Sequence, residues 1–244
     1  MKIVIAPAKF KGSLTGFEFC DAVTEGLEMV FPNAEIVMKP LADGGDGTID
    51  VIDYYLQGEK INTRASDPLF RARSTSYFFS KANKIAFVEM SEISGLKLLS
   101  MNERNCMHTT SLGFGELIVD AIEKGAKELI LGIGGSATND CGMGMANALG
   151  YRFLDANNQE LKPIGSNLIQ VKKIDASNVH PKLNNVKVKV ACDVSNPLYG
   201  QEGAAHIYAI QKGASNEEVQ LLDEGLRNFA KVLQDEFRVD MQQI

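Results

Sequence analysis

Glu128-Leu-Ile-Leu-Gly-Ile133 runs straight into Gly134-Gly-Ser-Ala-Thr-Asn-Asp-Cys-Gly-Met-Gly144. The first six residues read as a buried strand, and Met143 to Leu149 reads as a helix. Between them lies a loop of glycines and small polar residues. A strand, a glycine-rich loop and a helix in that order belong to a parallel sheet, with the loop at the C-terminal edge where ligands bind. Glycines let backbone N–H groups come close to a phosphate, and the helix N-terminus adds a favourable dipole. Gly134, Gly135, Ser136, Thr138 and Asn139 are therefore the expected cofactor contacts. A long structural turn is the plainer reading, but nine residues of small polar chemistry exceed what a turn needs.

The same stretch fits a relaxed dinucleotide fingerprint, Gly132-x-Gly134-x-x-Ala137, with Asp155 as the ribose-binding acid 23 positions beyond Gly132. Against it, no helix starts directly after Ala137. A non-catalytic module that binds a phosphate ligand or a dinucleotide through residues 132–144 is the alternative function.

Upstream, Lys2 to Ala6 is a β-branched strand ended by Pro7, and Ser13 or Thr15 caps a helix over 16–31. Glu35 to Lys39 is the next strand. This spacing predicts a βαβ unit with a parallel pair. A helix follows from Thr48 to about Leu56. Residues 60–90 read as an antiparallel meander, and Phe114 to Lys124 as a helix stopped by Gly125. Downstream, Tyr151 to Asp155 and Lys187 to Cys192 read as strands, the latter buried. Asn216 to Phe237 is a long amphipathic helix with Val219, Leu222, Leu226, Phe229 and Val232 near one face. The expected fold class is α/β with two α/β domains: a parallel Rossmann-like or flavodoxin-like sheet plus a mixed-sheet domain. The expected division is residues 1–59 and 60–244, with the meander opening the second domain.

Three more loops carry chemistry. Asp43-Gly-Gly-Asp-Gly-Thr48 sets two carboxylates three apart among glycines, suited to a cation or a substrate hydroxyl, or to an Asx-turn before the next helix. Asp193 and Asn196, in Cys192-Asp-Val-Ser-Asn-Pro197, follow a strand end that suits a Mg²⁺ ligand or general base, or else a turn set by Asn-Pro. His108-Thr-Thr-Ser-Leu-Gly-Phe-Gly115 puts hydroxyls before a helix, where N-capping is the plainer reading. Gln211-Lys-Gly-Ala-Ser215 offers a cation beside a glycine.

The chain has 244 residues, 45% of them hydrophobic and 23% charged, enough for a packed core. Its 25 basic and 31 acidic residues give a net charge of −6, without the global basic footprint of a nucleic-acid binder. No stretch reaches the roughly 20 apolar residues of a membrane span, and no targeting segment is evident, so a cytoplasmic location is expected. The four cysteines show no CxxC spacing and read as buried reduced thiols. A Walker A loop, HExxH, GxSxG and the protein-kinase signature are all missing.

Taken together, IVIAP with FKGSL, PLADGGDGT, FVEMSEISGL, TTSLGFGELI, GIGGSATNDCGMGM, VACDVSNPLYG and QKGAS resemble the bacterial glycerate kinase family, which phosphorylates D-glycerate with ATP. The blocks occur in family order from the first strand almost to the last helix. The resemblance implies a two-domain α/β protein, ATP and Mg²⁺ as cofactors, and phosphoryl transfer to a hydroxyl of D-glycerate, the 2-hydroxyl being preferred. In these terms Asp193 or Asp140 binds Mg²⁺, and Asp43 or Asp46 orients the glycerate hydroxyl or accepts its proton. Lys11 or Lys212 neutralises developing charge or holds the substrate carboxylate. Thr110, Ser111, Asn196 and Lys212 are the expected substrate contacts, and Asp43, Asp46, Lys11 and Asp193 the expected catalytic group. The implied partner is the small-molecule substrate, without nucleic acid or membrane; a homodimer is compatible and not required. Two departures stand out. Ala8-Lys9 replaces the family's usual Asp-Ser, and the family continues past residue 244 with a glycine-rich region and a Gly-Glu-Gly-Arg-x-Asp type motif. The resemblance thus implies either a member that catalyses the phosphorylation alone or a truncated one that binds its ligand with impaired activity.

Overall fold

A computed structural model describes residues 1–8, 13–41, 48–192 and 194–241, with 48 and 49 as backbone only. The architecture is mixed α/β, as the alternation of apolar runs requires. β1 (Lys2–Ile5), α1 (Gly16–Val30) and β2 (Glu35–Met38) form the expected βαβ unit, with Lys2 opposite Glu35 and Ile5 opposite Met38 in a parallel pair. Thr15, not Ser13, caps α1: Glu18 N–H donates to Thr15 Oγ1 at 3.1 Å, and Thr15 N–H donates back to Glu18 Oε2 at 2.7 Å. This reciprocal capping box satisfies two otherwise orphaned donors.

α2 (Thr48–Leu56) leads into β3 (Glu59–Ser66), β4 (Ala72–Ser80) and β5 (Ile85–Glu89), the expected antiparallel meander. α3 (Ser91–Ser94) and α4 (Leu112–Glu123) then return the chain to β6 (Glu128–Gly132), parallel to β5. α5 (Met143–Ala148) is followed by β7 (Arg152–Leu154), β8 (Lys173–Asp175) and β9 (Lys187–Ala191), and the described chain finishes with α6 (Ala204–Tyr208) and α7 (Asn216–Phe237). The main sheet has the order β3-β4-β5-β6-β9, so meander and parallel strands share one mixed sheet. β7 pairs antiparallel with β8 in a separate two-stranded sheet.

Strand alternation sorts the core. Tyr77, Phe79, Ala86, Val88 and Leu129 pack against Phe114, Leu117 and Ile118 of α4. A Cβ on Gly113 would stand 1.8 Å from the Ser66 carbonyl oxygen, so only glycine lets α4 come this close to β3. A second cluster gathers Cys106, Met143, Phe153 and Leu168 against Leu222, Leu226 and Phe229 of α7. The opposite face of the main sheet carries Phe78 and Phe87, paired in register, with α2 resting on β4 and β5. Five expected face residues of α7, Val219, Leu222, Leu226, Phe229 and Val232, are all buried.

Two expectations fail. β9 is not buried: among the described residues it pairs with β6 on one side only, and Val188 and Val190 are 46% and 56% exposed. The cysteines are all free, but Cys192 is exposed, because it follows that uncovered strand.

Candidate functional site

The glycine-rich loop lies at the C-terminal edge of β6, as a parallel sheet demands. It is stitched to the segment after β5: Leu96 N–H donates to Gly135 O at 2.9 Å, and Ala137 N–H donates to Ser94 O at 2.8 Å. Gly135 has φ 69°, a left-handed conformation that suits glycine. Its tip is open. Gly134 and Gly135 are exposed and Ser136 half-buried, and their three N–H groups donate to nothing among the described residues.

Lys212 reaches this loop from the turn after α6. Its Nζ donates to Ser136 Oγ at 2.8 Å and to Thr138 O at 2.7 Å. An ammonium has three donors, so one remains after these two bonds. Loss of water pulls the Lys212 ammonium below the ordinary lysine value, opposed in part by Cys106 and Asp140 nearby. A cavity of about 380 Å³ is lined by apolar Met90, Phe114, Leu131 and Met145 and by polar Ser136, Thr138, Asn139 and Lys212.

Below the tip, the loop is braced by Asp140. Asp140 Oδ2 accepts from Ser111 N–H at 2.8 Å, Ser111 Oγ at 2.7 Å and Gly144 N–H at 3.1 Å, while Oδ1 accepts from Gly142 N–H at 3.3 Å. Ser111 Oγ in turn accepts from Met145 N–H at 2.9 Å. The first N–H groups of α5 are therefore spent on protein atoms, so the N–H groups left open among the described residues lie at the loop tip rather than at the helix start expected from the sequence. A Cβ on Gly144 would fall 2.3 Å from Thr110 Oγ1, so glycine is what lets α5 meet the start of α4.

The other expected residues are placed as follows. Thr110 and Ser111 are fully buried; Thr110 Oγ1 accepts from Leu112 N–H at 3.1 Å, and Ser111 spends its hydroxyl on Asp140 and α5 rather than on its own helix. Asn196 is exposed, with Nδ2 donating to Glu202 O and Oδ1 accepting from Tyr208 Oη, so both polar ends brace a turn. Asn139 is buried beside Asp140. Asp155 holds the N–H groups of Asn157 and Gln159 in a turn. It lies in the β7 region, away from the main sheet, so it cannot serve as the acid of a dinucleotide fold. Lys11, Asp43, Asp46 and Asp193 lie outside the described residues.

Sequence reading passed over one acid. Glu89 ends β5 and is 1% exposed, and Ser91 Oγ donates to its Oε1 at 2.8 Å. The signal was a charged residue closing the apolar run Ile85-Ala-Phe-Val88 at the edge where ligands bind. Burial holds the Cys106 thiol up to about 11 and the Cys141 thiol up to about 12, with Asp140 adding to the latter, so neither is a nucleophile near neutral pH. Among the described residues no group of three or more His, Cys, Asp or Glu side chains is set to hold a metal, and no helix is long and apolar enough to cross a membrane.

A protein named glycerate kinase from Halalkalibacterium halodurans is 44% identical over 234 residues, which is 96% of this chain and 62% of that protein. A protein named glycerate 2-kinase from Escherichia coli K12 is 42% identical over 244 residues, 100% of this chain and 64% of that protein. A crystal structure named for glycerate kinase 2 from Salmonella typhimurium LT2 superposes with a TM-score of 0.92 at 38% identity, covering 100% of this chain and 65% of that one. The chain thus spans less than two thirds of the length of these relatives. The glycerate kinase family matches residues 3–244, and the chain belongs to that family.

Proposed function

We propose that this chain carries the nucleotide-phosphate site of a glycerate kinase, which transfers a phosphoryl group from ATP to the 2-hydroxyl of D-glycerate. The observation that carries this reading is the loop tip: the three consecutive N–H groups at Gly134, Gly135 and Ser136 donate to nothing among the described residues, and the Lys212 ammonium is attached through Ser136 Oγ. Phosphoryl transfer asks mainly for positioning and for neutralisation of charge on the phosphoryl oxygens. The loop N–H groups, with Thr138 and Asn139 behind them, hold the phosphates. Lys212 supplies the positive charge and keeps the loop in shape. The relatives named glycerate kinase and glycerate 2-kinase support the acceptor.

On this reading Asp43 or Asp46 orients the glycerate hydroxyl or accepts its proton, and Lys11 or Lys212 neutralises developing charge or holds the substrate carboxylate. Mg²⁺ is the companion of ATP in such a reaction, supplying charge neutralisation between the phosphates. The described residues do not fit it. Asp140 has its oxygens engaged by four donors and acts as a brace, which leaves Asp193 as the family's candidate ligand.

A coupled assay for ADP release with ATP, D-glycerate and Mg²⁺ tests this reading, and phosphorus NMR of the product distinguishes 2-phosphoglycerate from 3-phosphoglycerate. Turnover with the 2-phosphate as product is expected. Thermal stabilisation by NAD but not by ATP, with no ADP release, would instead favour a binding module.

A further inference from the structure

We propose that the cavity behind the glycine-rich loop seats the adenine ring of ATP, and that the Asn139 amide reads the edge of that ring; the inference rests on the phosphate site proposed above. The cavity measures about 380 Å³ and has two unlike sides. One is the loop itself, with Ser136, Thr138, Asn139 and the Lys212 side chain. The other is apolar: Ile133 follows β6, Val190 stands on β9, Met145 on α5, and Leu198 and Tyr208 close it from the chain after β9. The Tyr208 hydroxyl donates to Asn196 Oδ1 at 2.6 Å, which fixes its ring in that wall.

Size and lining both bear on the occupant. Cavities of about 300–1,000 Å³ with apolar walls and a few polar groups suit a molecule larger than a three-carbon acid. Glycerate bears an oxygen on every carbon and has little apolar surface to set against those walls. A nucleobase has two apolar faces and a polar edge. Ser136 and Lys212 belong both to the phosphate cradle and to the cavity wall, so one nucleotide reaches from the tip into the cavity.

Two side chains on the polar side lack partners. Thr138 and Asn139 are 7% and 8% exposed, so each is more than nine-tenths buried. Among the described residues neither side chain has a hydrogen-bond partner; Thr138 meets Lys212 through its carbonyl oxygen. Nor are their polar ends sealed in protein: the sealed polar atoms without partners are Thr24 Oγ1, Ser94 Oγ, Arg104 Nε and His180 Nδ1. A buried amide without partners is costly, and a ligand's polar edge in the cavity would satisfy it. An amide sets a donor beside an acceptor, which matches the amino group and neighbouring ring nitrogen of adenine. On the same edge guanine presents two acceptors, and the match is lost.

The test is binding calorimetry on the 244-residue chain and on N139A, beside melting curves. The ligands are ATP, GTP, the triphosphate of unsubstituted purine riboside, and inorganic tripolyphosphate. Wild type should bind ATP about tenfold or more tightly than each of the other three. N139A should bind ATP and GTP within twofold of each other, with tripolyphosphate affinity as in wild type. A folded N139A that keeps the wild-type preference for ATP over GTP overturns the role of Asn139. Should N139A not fold, the unsubstituted purine nucleotide decides: binding to wild type within twofold of ATP means that the amino group is not read. Wild-type affinities for ATP and tripolyphosphate within twofold of each other overturn the base pocket and leave the phosphate site standing. Binding of neither overturns the phosphate site, and the base pocket with it.

Discussion

Ser111 Oγ lies 2.7 Å from Asp140 Oδ2, and through this contact the first turn of α4 and the first turn of α5 share a single cap. The serine opens one helix but its hydroxyl serves the other, accepting from Met145 N–H. The glycine-rich loop is clamped at its base by this exchange while its tip stays open.

Removing the hydroxyl should therefore destabilise more than one cap would. S111A leaves Met145 N–H without its partner and Asp140 with one donor fewer, in a fully buried position. The expected cost is about 1–3 kcal/mol, seen as a lower urea midpoint without a change in the slope. D140N should cost more, since its amide NH₂ or oxygen must meet donors on every side. An S111A midpoint equal to wild type would show the shared cap to be idle.

If Lys212 charges the proposed phosphate site, affinity should fall on the alkaline side. Its lowered value means that the fold bears the cost of a desolvated ammonium at neutral pH, and that cost is relieved as pH rises through the folded value toward the unfolded one near about 10.4. Anion binding runs the other way, because the neutral amine loses its charge. ATP affinity measured by calorimetry should weaken as pH rises, at values below the ordinary lysine range. K212M should bind weakly throughout, without that limb. Wild-type affinity constant to the ordinary lysine value would contradict the assignment.

At the acid end the relevant group is Glu103. Its carboxylate sits at about 2, held down chiefly by the Ser100 N–H, then by Arg71 and the Ser100 hydroxyl. A depressed acid contributes stability that is present above the unfolded value, about 4.3, and is lost as pH falls through about 2. E103Q should lower the melting temperature at neutral pH, and the gap from wild type should close between those two values. A gap unchanged down to pH 2 would remove Glu103 from the acid response.

The two neighbouring parallel strands should respond unequally to truncation. Leu129 on β6 is fully buried, so L129A should cost about 2–5 kcal/mol in unfolding free energy. Val188, its register partner on β9, is 46% exposed, so V188T should stay within about 0.5 kcal/mol of wild type. A large loss at Val188 would mean that β9 is covered after all.

Most elements were legible because their signals are local. The apolar period of α7, the breakers around α1 and the alternating runs of the meander each name their own structure. The family blocks named the loop at residues 132–144 for the same reason. What stayed hidden depends on partners distant in the chain. Nothing in Arg152-Phe-Leu154 says that β7 pairs with β8 rather than joining the main sheet. The alternation Lys187-Val-Lys-Val190 gives β9 one apolar face but not whether anything covers it. An acid in a glycine-rich loop reads equally as ligand or cap, and only the convergence of Ser111, Gly142 and Gly144 on Asp140 decides for cap. Glu89 was passed over because charge at the end of a strand is ordinary; its burial is what sets it apart.

Lys212, which would charge the proposed cradle, comes 76 residues after the serine it binds. During synthesis, the loop leaves the ribosome well before Lys212 has been made. A nascent chain released or stalled before that point has the glycines but not the charge, so it should ignore a phosphate ligand that the longer chain retains. Ligand retention by chains stopped at successive lengths would then time the moment when the two halves of the cradle first meet.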